Sequence, residues 1–334
     1  MKYIEFSNDG LVLIKLSDKD ALKYKKNIEQ ELNKSKRFQL RADFAASGQK
    51  ILEEIYFYYI NLLYNLTGLE NLCISGGVAL NSLANGKIKN KSKFKNIYFF
   101  PACGDDSIAV GAAYLAYYND HKKRVIIKDQ MPFFGKNYSN NDILKSFKKN
   151  SNIKYYKSKN KYKDSANLLN NGEIIAWFQG KSEFGPRALG HRSIFANPKS
   201  YKIKKYLNKK IKQREMFRPF APAVLYKYQK EYFSSSDYLP YMSQVVYVKN
   251  DKISEIPAVT HIDNTARVQS IDERNEELNK LLIEFYNISK LPVLLNTSFN
   301  IKGMPIVENP DDALDCFNKS AIKYLVIGDF ICKK

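Results

Sequence analysis

Residues 180–193 read Gly180-Lys-Ser-Glu-Phe-Gly-Pro-Arg-Ala-Leu-Gly-His-Arg-Ser193, and a related segment follows as Lys212-Gln-Arg-Glu-Met-Phe-Arg-Pro-Phe-Ala-Pro222. The chain prefers lysine elsewhere, but these two segments contain Arg187, Arg192, Arg214 and Arg218. Arginine presents a rigid planar fork of donors that matches phosphate or carboxylate oxygens, whereas a solvated surface cation needs no such geometry. The pattern predicts an anion site. Ordinary ion pairs on a basic loop are the alternative.

Length and charge limit the number of domains and the classes of binding partner. The chain has 334 residues, of which 44% are hydrophobic, which suggests about two domains with a packed core. Lys and Arg number 54 against 34 Asp and Glu, a formal net charge of +20. Such a charge occurs in proteins that bind nucleic acid, membranes or anionic substrates. Because lysines are spread along a sequence rich in Lys, Asn, Ile and Tyr, compositional drift with an anionic small substrate is favoured over nucleic acid.

Cysteine usage and hydropathy bear on location. The four cysteines are far apart and form no Cys-x-x-Cys pair, so a reducing, cytoplasmic environment is expected. Residues 1–10 lack the apolar core and cleavage site of a signal peptide. No apolar run approaches the ~18 residues of a membrane span. We therefore expect a cytoplasmic protein with no membrane partner.

Hydrophobic periodicity predicts alternating helices and strands, hence an α/β fold. A hairpin is predicted over residues 3–16 around Asn8-Asp9-Gly10, and it needs strand partners because two strands alone are marginal. Helices are predicted at 18–36 (or a solvated arm), 42–66, 107–118, 140–150, 164–170, 276–289 and 311–317. Strands are predicted at 71–75, 96–100, 153–158, 173–178, 223–225, 242–249, 291–295 and 324–327.

Two successive strands run into glycine-containing turns that precede helices. The first turn is Ser75-Gly-Gly-Val-Ala-Leu-Asn81 and the second is Pro101-Ala-Cys-Gly-Asp-Asp106. Backbone N–H groups in such turns can bind phosphate, and one of the adjacent carboxylates of Asp105 and Asp106 could bind a hard cation. A nucleotide or metal-phosphate site is predicted here, with ordinary tight turns as the alternative.

Four ordered motifs resemble the NodU/CmcH-type O-carbamoyltransferases. They are Phe184-Gly-Pro-Arg-Ala-Leu-Gly190, Phe217-Arg-Pro-Phe-Ala-Pro222, His261-Ile-Asp-Asn-Thr-Ala-Arg-Val-Gln269 and Leu294-Leu-Asn-Thr-Ser-Phe-Asn300. Upstream, the segment Ser75–Asn81 and the pair Gly104-Asp105 resemble the same family, so the likeness covers roughly residues 40–334. The ordered set is highly specific.

The resemblance implies a fold and a chemistry. Residues 1–125 would form the second half of an actin/sugar-kinase-like domain that holds ATP-derived nucleotide and a divalent metal, Fe or Mg. Residues 126–334 would form a YrdC-like α/β domain that binds carbamoyl phosphate. The implied enzyme is an O-carbamoyltransferase, which forms carbamoyl adenylate and pyrophosphate from carbamoyl phosphate and ATP. It then transfers the carbamoyl group to a hydroxyl of a sugar or natural-product acceptor.

The resemblance also implies site residues. Catalytic residues facing the donor anion would be Lys212, Arg214, Arg187, Arg192, Ser298 and Asn300, of which the first two match a Lys-x-Arg pair and the last two a Ser-x-Asn pair. Nucleotide contacts would be Ser75, Gly76, Gly77, Asn81, Gly104, Arg218 and Arg267. Asp105 matches a metal-ligating aspartate. His261 could serve as general base for the acceptor hydroxyl, or make an ordinary polar contact.

The sequence departs from the family pattern on its N-terminal side. Family members carry, before the part seen here, roughly half of the actin-like domain, with a His-x-x-x-His metal pair. The histidines of this chain, His121, His191 and His261, form no such pair and all follow the Gly-Gly turn. We therefore expect Asp105 to be one ligand of an incomplete metal site, and the first half-domain to be absent or a separate subunit.

Two other functions remain open. The chain could be an inactive truncated remnant, or a subunit of a split carbamoyltransferase that needs a partner. It could also be a basic RNA-binding YrdC-like protein, since its charge would suit RNA. The sequence contains no separate RNA-binding motif such as an aromatic RNP pattern, so we do not expect nucleic acid as a partner.

Overall fold

A computed structural model describes residues 4–7, 10–15, 17–32, 37–124, 131–150 and 152–334. The helices are α1 (Asp18–Leu32), α2 (Arg37–Thr67), α3 (Ser82–Lys91), α4 (Asp106–His121), α5 (Asn140–Lys149), α6 (Lys161–Asn170), α7 (Tyr201–Tyr206), α8 (Gln229–Tyr232), α9 (Glu276–Ser289) and α10 (Pro310–Lys319). The strands are β1 (Ile4–Phe6), β2 (Val12–Ile14), β3 (Asn71–Ile74), β4 (Asn96–Phe99), β5 (Lys154–Lys157), β6 (Ile175–Phe178), β7 (Arg192–Ala196), β8 (Ala221–Leu225), β9 (Val245–Tyr247), β10 (Thr265–Arg267), β11 (Gln269–Ile271), β12 (Val293–Ser298), β13 (Tyr324–Ile327) and β14 (Phe330–Lys333).

The chain divides into two compact units. The smaller comprises Met1–Cys73 and Gly86–Tyr98, and the larger comprises Ile74–Asn85 and Phe99–Lys334. The larger unit contains an eight-stranded sheet in the order β11-β8-β12-β7-β6-β13-β14-β5. The sheet is mixed, because β11 with β8 and β13 with β6 are parallel pairs and the other neighbouring strands pair antiparallel. The predicted α/β class is confirmed.

The central strands explain why this sheet forms. Every residue of β6 and β7 is buried, because neighbouring strands flank both and helices pack on the sheet. A continuous apolar run such as that of β6 is typical of a strand buried on both faces. The prediction did not include β7, whose first residues are Arg192 and Ser193; the structure buries these polar residues between β6 and β12.

Helix ends and faces follow the sequence closely. Helix α5 begins with a capping box between Ser139 and Asp142, and α10 begins with one between Asn309 and Asp312; each box satisfies backbone N–H groups that the first turn leaves free. Helix α9 buries Leu278, Leu281, Leu282 and Phe285, the three- and four-residue spacing of an amphipathic helix. Helices α6 and α9 pack together, as do α5 and α10.

The smaller unit contains the predicted hairpin. Strands β1 and β2 pair antiparallel; within the described residues they form a two-stranded sheet, so the expected strand partners are not observed. The hairpin packs instead on α2, where Tyr58 donates a hydrogen bond to the Ser7 carbonyl and its ring lies 4.8 Å from that of Phe6. The turn residues Asn8 and Asp9 lie outside the described residues, as does the expected domain boundary at 125/126.

The predicted helix over 42–66 extends to Arg37–Thr67, whereas the prediction for 242–249 is too long because the strand is only Val245–Tyr247. Met242 lies before it with a positive φ of 54°, incompatible with extended backbone.

In the described part of the chain, no helix is both long and apolar enough to span a membrane.

Candidate active site

The segment between β6 and β7 forms a loop held by one carboxylate. Oε1 of Glu183 accepts hydrogen bonds from the backbone N–H groups of Leu189 (2.7 Å), His191 (2.7 Å) and Arg192 (3.2 Å). Charge-assisted bonds of this kind are stronger than neutral ones. Glu183 therefore fixes the curvature of the loop that presents Arg187.

Two glycines of this loop permit close backbone approach. Gly185 has φ of 117°, and a Cβ there would lie 2.9 Å from the Pro101 carbonyl oxygen. Gly190 has φ of 118°, and a Cβ there would lie 2.7 Å from a methyl carbon of Leu278. Any side chain would be strained as well as crowded. The first contact brings the loop against the second glycine-containing turn, near Cys103 and Gly104.

Three arginines from distant parts of the sequence line one small cavity of about 110 Å³. This cavity, which we name the arginine cavity, is lined by Pro186, Arg187, Ala188, Arg214, Pro219, Phe220, Ala221, Met242, Arg267, Asn296, Thr297 and Ser298. Its described lining contains no Asp or Glu side chain. Several like charges thus converge without a carboxylate to neutralise them.

The electrostatics of the arginine cavity reflect this convergence. Burial, followed by repulsion from Arg187 and Arg214, lowers the pKa of Arg267 to about 9. Burial also lowers the pKa values of Arg187 and Arg214. Within the described residues, the guanidinium groups of Arg187 and Arg267 have no hydrogen-bond or ion-pair partner. Partly buried cations without counter-charges are costly, and a bound anion would remove that cost.

Arg214 is held in place by its own neighbours. Its Nε donates to Oδ1 of Asn208 (2.8 Å), its Nη2 donates to the Pro219 carbonyl (3.3 Å), and its guanidinium lies over the Phe220 ring at 4.8 Å. A π-helical turn at Leu207–Ile211 precedes it, and such turns are frequent at functional sites. The guanidinium is therefore oriented before any ligand binds.

A second, larger cavity of about 320 Å³ adjoins the first and shares Arg214 and Ser298 with it. We name it the lysine cavity; it is lined by Lys212, Gln213, Arg214, Glu215, Arg218, Ser298, Asn300, Ile301, Lys302, Gly303 and Met304. The Lys-x-Arg and Ser-x-Asn motifs thus face each other, as the resemblance implies. Gln213, between Lys212 and Arg214, has a φ of 45° in the left-handed region. The side chains of its two neighbours have different partners, Asn300 for Lys212 and Asn208 for Arg214.

Lys212 is buried against the end of β12. Its Nζ donates to Asn300 Oδ1 (2.8 Å), to the Asn300 carbonyl (3.0 Å) and to Ser298, both at the carbonyl and at Oγ (3.2 Å). Ser298 Oγ donates in turn to Asn300 Oδ1 (2.8 Å). Burial, with a smaller contribution from Arg214, lowers the pKa of Lys212 to about 7. The amine can therefore gain or lose a proton near neutral pH.

Arg218 lines the lysine cavity but is exposed. Its Nε lies 2.7 Å from a carboxylate oxygen of Glu215, and both side chains are more than half exposed. Exposed pairs of this kind contribute little stability. Arg218 can therefore exchange Glu215 for a ligand at low cost.

Two predicted site residues lie elsewhere. Arg192 is fully buried, and its guanidinium donates to the carbonyls of Gln179 (2.7 Å), Gly180 (3.2 Å), His191 (3.2 Å) and Glu308 (3.4 Å) while stacking on Phe178 at 3.6 Å. It lines neither cavity, and its donors are occupied, so we correct its assignment from catalytic to structural.

His261 also lies apart from the two cavities. Its Nδ1 is 3.0 Å from Oγ1 of Thr265, and its backbone N–H donates to the Thr265 carbonyl. Burial lowers the pKa of His261 to about 4, so the ring is neutral but weakly basic at pH 7. The geometry favours the polar-contact interpretation over the general-base one.

The two glycine-containing turns are bonded to each other. The Gly76 N–H donates to the Cys103 carbonyl (2.6 Å), and Ser75 Oγ lies 3.4 Å from the same oxygen. The Gly76 N–H is therefore engaged within the protein, not free for phosphate. A short 3-10 helix at Gly77–Leu80, not an α-helix, follows. Asn81 Oδ1 accepts from the Ala84 N–H (3.0 Å), which caps the start of α3.

Asp105 occupies the position before α4, where its side chain is exposed and makes no capping hydrogen bond. The preceding Gly104 carbonyl accepts from the backbone N–H and Oγ of Ser107. Among the described residues, no group of three or more His, Cys, Asp or Glu side chains could hold a metal ion. Within the part of the chain that the structure describes, Asp105 therefore has no complete set of companion ligands for a divalent metal, and no chemical step is assigned to such an ion.

The sequence-based prediction did not include Glu183 or Asn296. Glu183 lies within the quoted arginine stretch, and an acid beside glycines and a proline is a signal for a loop organiser. Asn296 carried a weaker signal, a polar residue inside a strand that is otherwise apolar at Val293-Leu-Leu295.

Comparison with known proteins places these motifs in a family. A family model described as "Carbamoyltransferase C-terminus" matches residues 166–334, and "Carbamoyltransferase N-terminus" matches residues 1–114. Because the N-terminal model matches within this chain, the expectation of a separate half-domain subunit is not supported.

Individual relatives agree. An uncharacterised protein of Synechocystis is 39% identical over 324 residues, covering 89% of this chain and 53% of that protein. Nodulation protein NolO of Bradyrhizobium diazoefficiens is 36% identical over 304 residues, covering 89% and 55%. Nodulation protein U of Azorhizobium caulinodans is 34% identical over 249 residues, covering 74% and 42%. The chain spans about half the length of the curated relatives it matches.

A solved structure of HypF from T. kodakarensis is similar over 49% of this chain and 21% of that chain, with 16% identity. Its TM-score of 0.31 is too low to support an argument. The two family models together with the nodulation-protein relatives confirm the resemblance carried by the motifs: the chain belongs to the NodU/CmcH-type carbamoyltransferase family.

Proposed function

We propose that this chain binds carbamoyl phosphate in the arginine cavity and activates it with ATP for transfer to a hydroxyl of a small acceptor, a sugar or natural product. The observation that carries the proposal is the convergence of Arg187, Arg214 and Arg267 on a cavity of about 110 Å³ whose described lining holds no carboxylate. Such a cavity has room for roughly four water molecules, a volume suited to a small anion and not to a nucleotide or an RNA base.

The arginines would bind the phosphate of the donor. Guanidinium forks make paired hydrogen bonds to phosphate oxygens, and fixed cations stabilise charge that develops on the leaving phosphate. Arg214 is already oriented by Asn208 and Phe220, so its alignment costs little on binding. Arg187 and Arg267 have no described partner to give up.

The lysine cavity would take the phosphates of ATP. It adjoins the arginine cavity through Arg214 and Ser298, and it adds the cations Lys212, Arg218 and Lys302. An anion beside Lys212 raises the pKa of its amine from about 7, because a nearby negative charge favours the protonated form. Lys212 would then act as a cation at the junction of the two substrates.

The proposed reaction consists of three steps. Carbamoyl phosphate and one water give carbamate and inorganic phosphate. A carbamate oxygen bonds to the α-phosphorus of ATP as the bond to the bridging oxygen breaks, and pyrophosphate leaves. The acceptor hydroxyl oxygen then bonds to the carbamoyl carbon, AMP leaves, and the hydroxyl proton passes to a base. Each turnover therefore releases one phosphate and one pyrophosphate.

The finer fold assignment belongs to the same proposal. Residues 126–334, which contain every lining residue of both cavities, are assigned to a YrdC-like domain. Residues 1–125, including Ser75–Asn81, Gly104 and Asp105, are assigned to part of an actin-like domain. A solved structure of this chain with a bound donor would test both assignments directly.

The proposed function is tested by pyrophosphate release with carbamoyl phosphate and ATP together, each substrate alone serving as control. We expect release that requires both substrates, with phosphate and pyrophosphate in equal amounts. No release under any condition would contradict the proposal and favour an inactive remnant. Salt-dependent binding to bulk RNA, without a response to carbamoyl phosphate, would favour the RNA-binding alternative.

A further inference from the structure

One polar atom beside the arginine cavity is buried without a partner. Asn296 lies on β12, with a side chain only 1% exposed. Its Nδ2 donates to Gln269 Oε1 (2.8 Å) and to the Ala188 carbonyl (3.2 Å). Its Oδ1 has no hydrogen-bond partner within the described residues. Because both Nδ2 contacts are acceptors, the amide cannot be rotated to satisfy Oδ1 without losing them.

The orientation of this amide is fixed from one residue further away. Nε2 of Gln269 donates to the Leu189 carbonyl at 2.7 Å, which leaves Oε1 of Gln269 as the acceptor facing Asn296. Two hydrogen bonds therefore connect the Leu189 carbonyl, in the loop that carries Arg187, to Gln269 and then to Asn296. They orient the amide of Asn296 so that its Oδ1 remains as an acceptor. A buried acceptor without a donor destabilises the empty site, and a ligand N–H would remove that cost.

We propose that Asn296 is a specificity-determining residue that accepts a hydrogen bond from the amino group of the carbamoyl donor and so distinguishes carbamoyl phosphate from acyl phosphates. The inference rests on the proposed function, because it takes the arginine cavity as the donor site. Asn296 lines that cavity together with the three arginines. The arginines bind the phosphate, which all acyl phosphates share, and Asn296 contacts the part that differs.

Acetyl phosphate is the matched probe for this inference. It replaces the amino group of carbamoyl phosphate by a methyl group of similar size and keeps the carbonyl and the phosphate. The methyl group cannot donate, so Asn296 Oδ1 would stay unpaired beneath it. Sites built to hydrogen-bond a polar group reject an analogue that lacks it far more strongly than apolar pockets reject a methyl group.

The first experiment uses the unaltered chain. In the pyrophosphate-release assay, the KM for carbamoyl phosphate is compared with the inhibition constant of acetyl phosphate. We expect acetyl phosphate to bind at least about tenfold more weakly. Equal affinity for the two compounds would overturn the inference without any substitution, so the result does not depend on the folding of a variant.

The second experiment uses Asn296→Leu, which removes the acceptor while keeping the volume. We expect the KM for carbamoyl phosphate to rise about tenfold or more while the inhibition constant of acetyl phosphate stays the same or falls. Asn296→Asp keeps an oxygen at the same place. Its negative charge should weaken the binding of both compounds alike, so the ratio of the KM for carbamoyl phosphate to the inhibition constant of acetyl phosphate should not change. Equal weakening of both compounds in Asn296→Leu would show a merely structural role.

Asn275 provides a matched control. It is also fully buried, its Nδ2 donates to the Leu189 carbonyl (2.7 Å), and its Oδ1 is likewise unpartnered within the described residues. It lines neither cavity. Asn275→Leu should therefore leave the ratio of the two constants unchanged, and a change as large as that of Asn296→Leu would contradict the inference.

Different results contradict the proposed function and the role of Asn296. If the unaltered chain releases no pyrophosphate with carbamoyl phosphate and ATP, the proposed function itself fails, and the inference fails with it. If release occurs but acetyl phosphate competes equally well, only the role of Asn296 is lost.

Discussion

Arg187 lies in the loop before β7 and Arg192 is the first residue of that strand, five positions later, yet their surroundings are opposite. Arg192 is fully buried and surrounded by the carbonyls of Gln179, Gly180, His191 and Glu308. Arg187 is half-buried beside two other guanidinium groups and has no described partner. The first arginine is saturated by the fold, and the second is not. Of these two arginines, the one without a described partner lines the arginine cavity, and the fully buried one lines neither cavity.

The largest effect is expected from Arg192→Ala. It would leave several buried carbonyls without donors and open a cavity beside Phe178, so the free energy of unfolding should fall by about 3 kcal/mol or more. Urea unfolding followed by circular dichroism measures this. The parallel measurement on Arg187→Ala should show a change within about 1 kcal/mol. If Arg192→Ala were as stable as the unaltered chain, Arg192 would not have the structural role that distinguishes it from Arg187.

Next in size are Arg187→Ala and Lys212→Ala, which should abolish donor activation without unfolding the protein. Removing one preorganised charge donor typically lowers kcat about 100-fold or more. Pyrophosphate release measures the loss, and circular dichroism checks the fold. Turnover equal to that of the unaltered chain in both variants would refute the assignment of the anion site.

Lys212 also predicts a dependence of stability on pH. The folded protein lowers its pKa to about 7, whereas an unfolded lysine titrates near ~10.4. Above pH 7 the unfolded chain therefore binds the proton that the folded chain releases, and the free energy of unfolding rises with pH until about pH 10.

This rise is measured against Lys212→Met, which lacks the titrating amine. Free energies of unfolding from urea titrations at about pH 6.5 and about pH 9.5 should show the unaltered chain gaining about 3 kcal/mol relative to the variant. A constant difference between the two proteins across this range would show that Lys212 keeps an ordinary pKa.

A smaller effect is expected from Glu183→Gln. The substitution keeps an oxygen acceptor for Leu189, His191 and Arg192 but removes the charge, and neutral hydrogen bonds are weaker than charge-assisted ones. We expect a loss of about 1 kcal/mol of stability and a KM for carbamoyl phosphate about tenfold higher. An unchanged KM would mean that Arg187 does not depend on this carboxylate for its position.

The smallest effect is expected from Arg218→Ala. Its exposed pair with Glu215 contributes at most about 0.5 kcal/mol of stability, and its place at the edge of the lysine cavity predicts an increase in the KM for ATP of less than about tenfold. Urea unfolding measures the change in stability, and pyrophosphate release at varied ATP concentration measures the change in KM. A loss of pyrophosphate release as large as that of Arg187→Ala would contradict this ranking and would indicate that the main anion site is the lysine cavity.

The sequence by itself determined the α/β class, the helix Glu276–Ser289 and the strand Tyr324–Ile327, which occur as predicted. It also determined the family, because ordered motifs such as Phe184–Gly190 and Leu294–Asn300 are local features of the chain. Periodicity and motifs depend on neighbours within a few residues, so they can be read without knowing the tertiary contacts.

Only the tertiary structure decided which of the motif arginines line the arginine cavity. Lys212 meets Ser298 because the segment after the π-helical turn lies beside the end of β12, 86 residues away. Arg192 is saturated because it begins β7, where Glu308 approaches across 116 residues. Asn296 is left with an unpaired oxygen because Gln269, on β11, fixes its amide. Hydrogen-bond partners, burial and like-charge repulsion all depend on non-local packing. For that reason Arg187 and Arg192, five positions apart, have opposite environments.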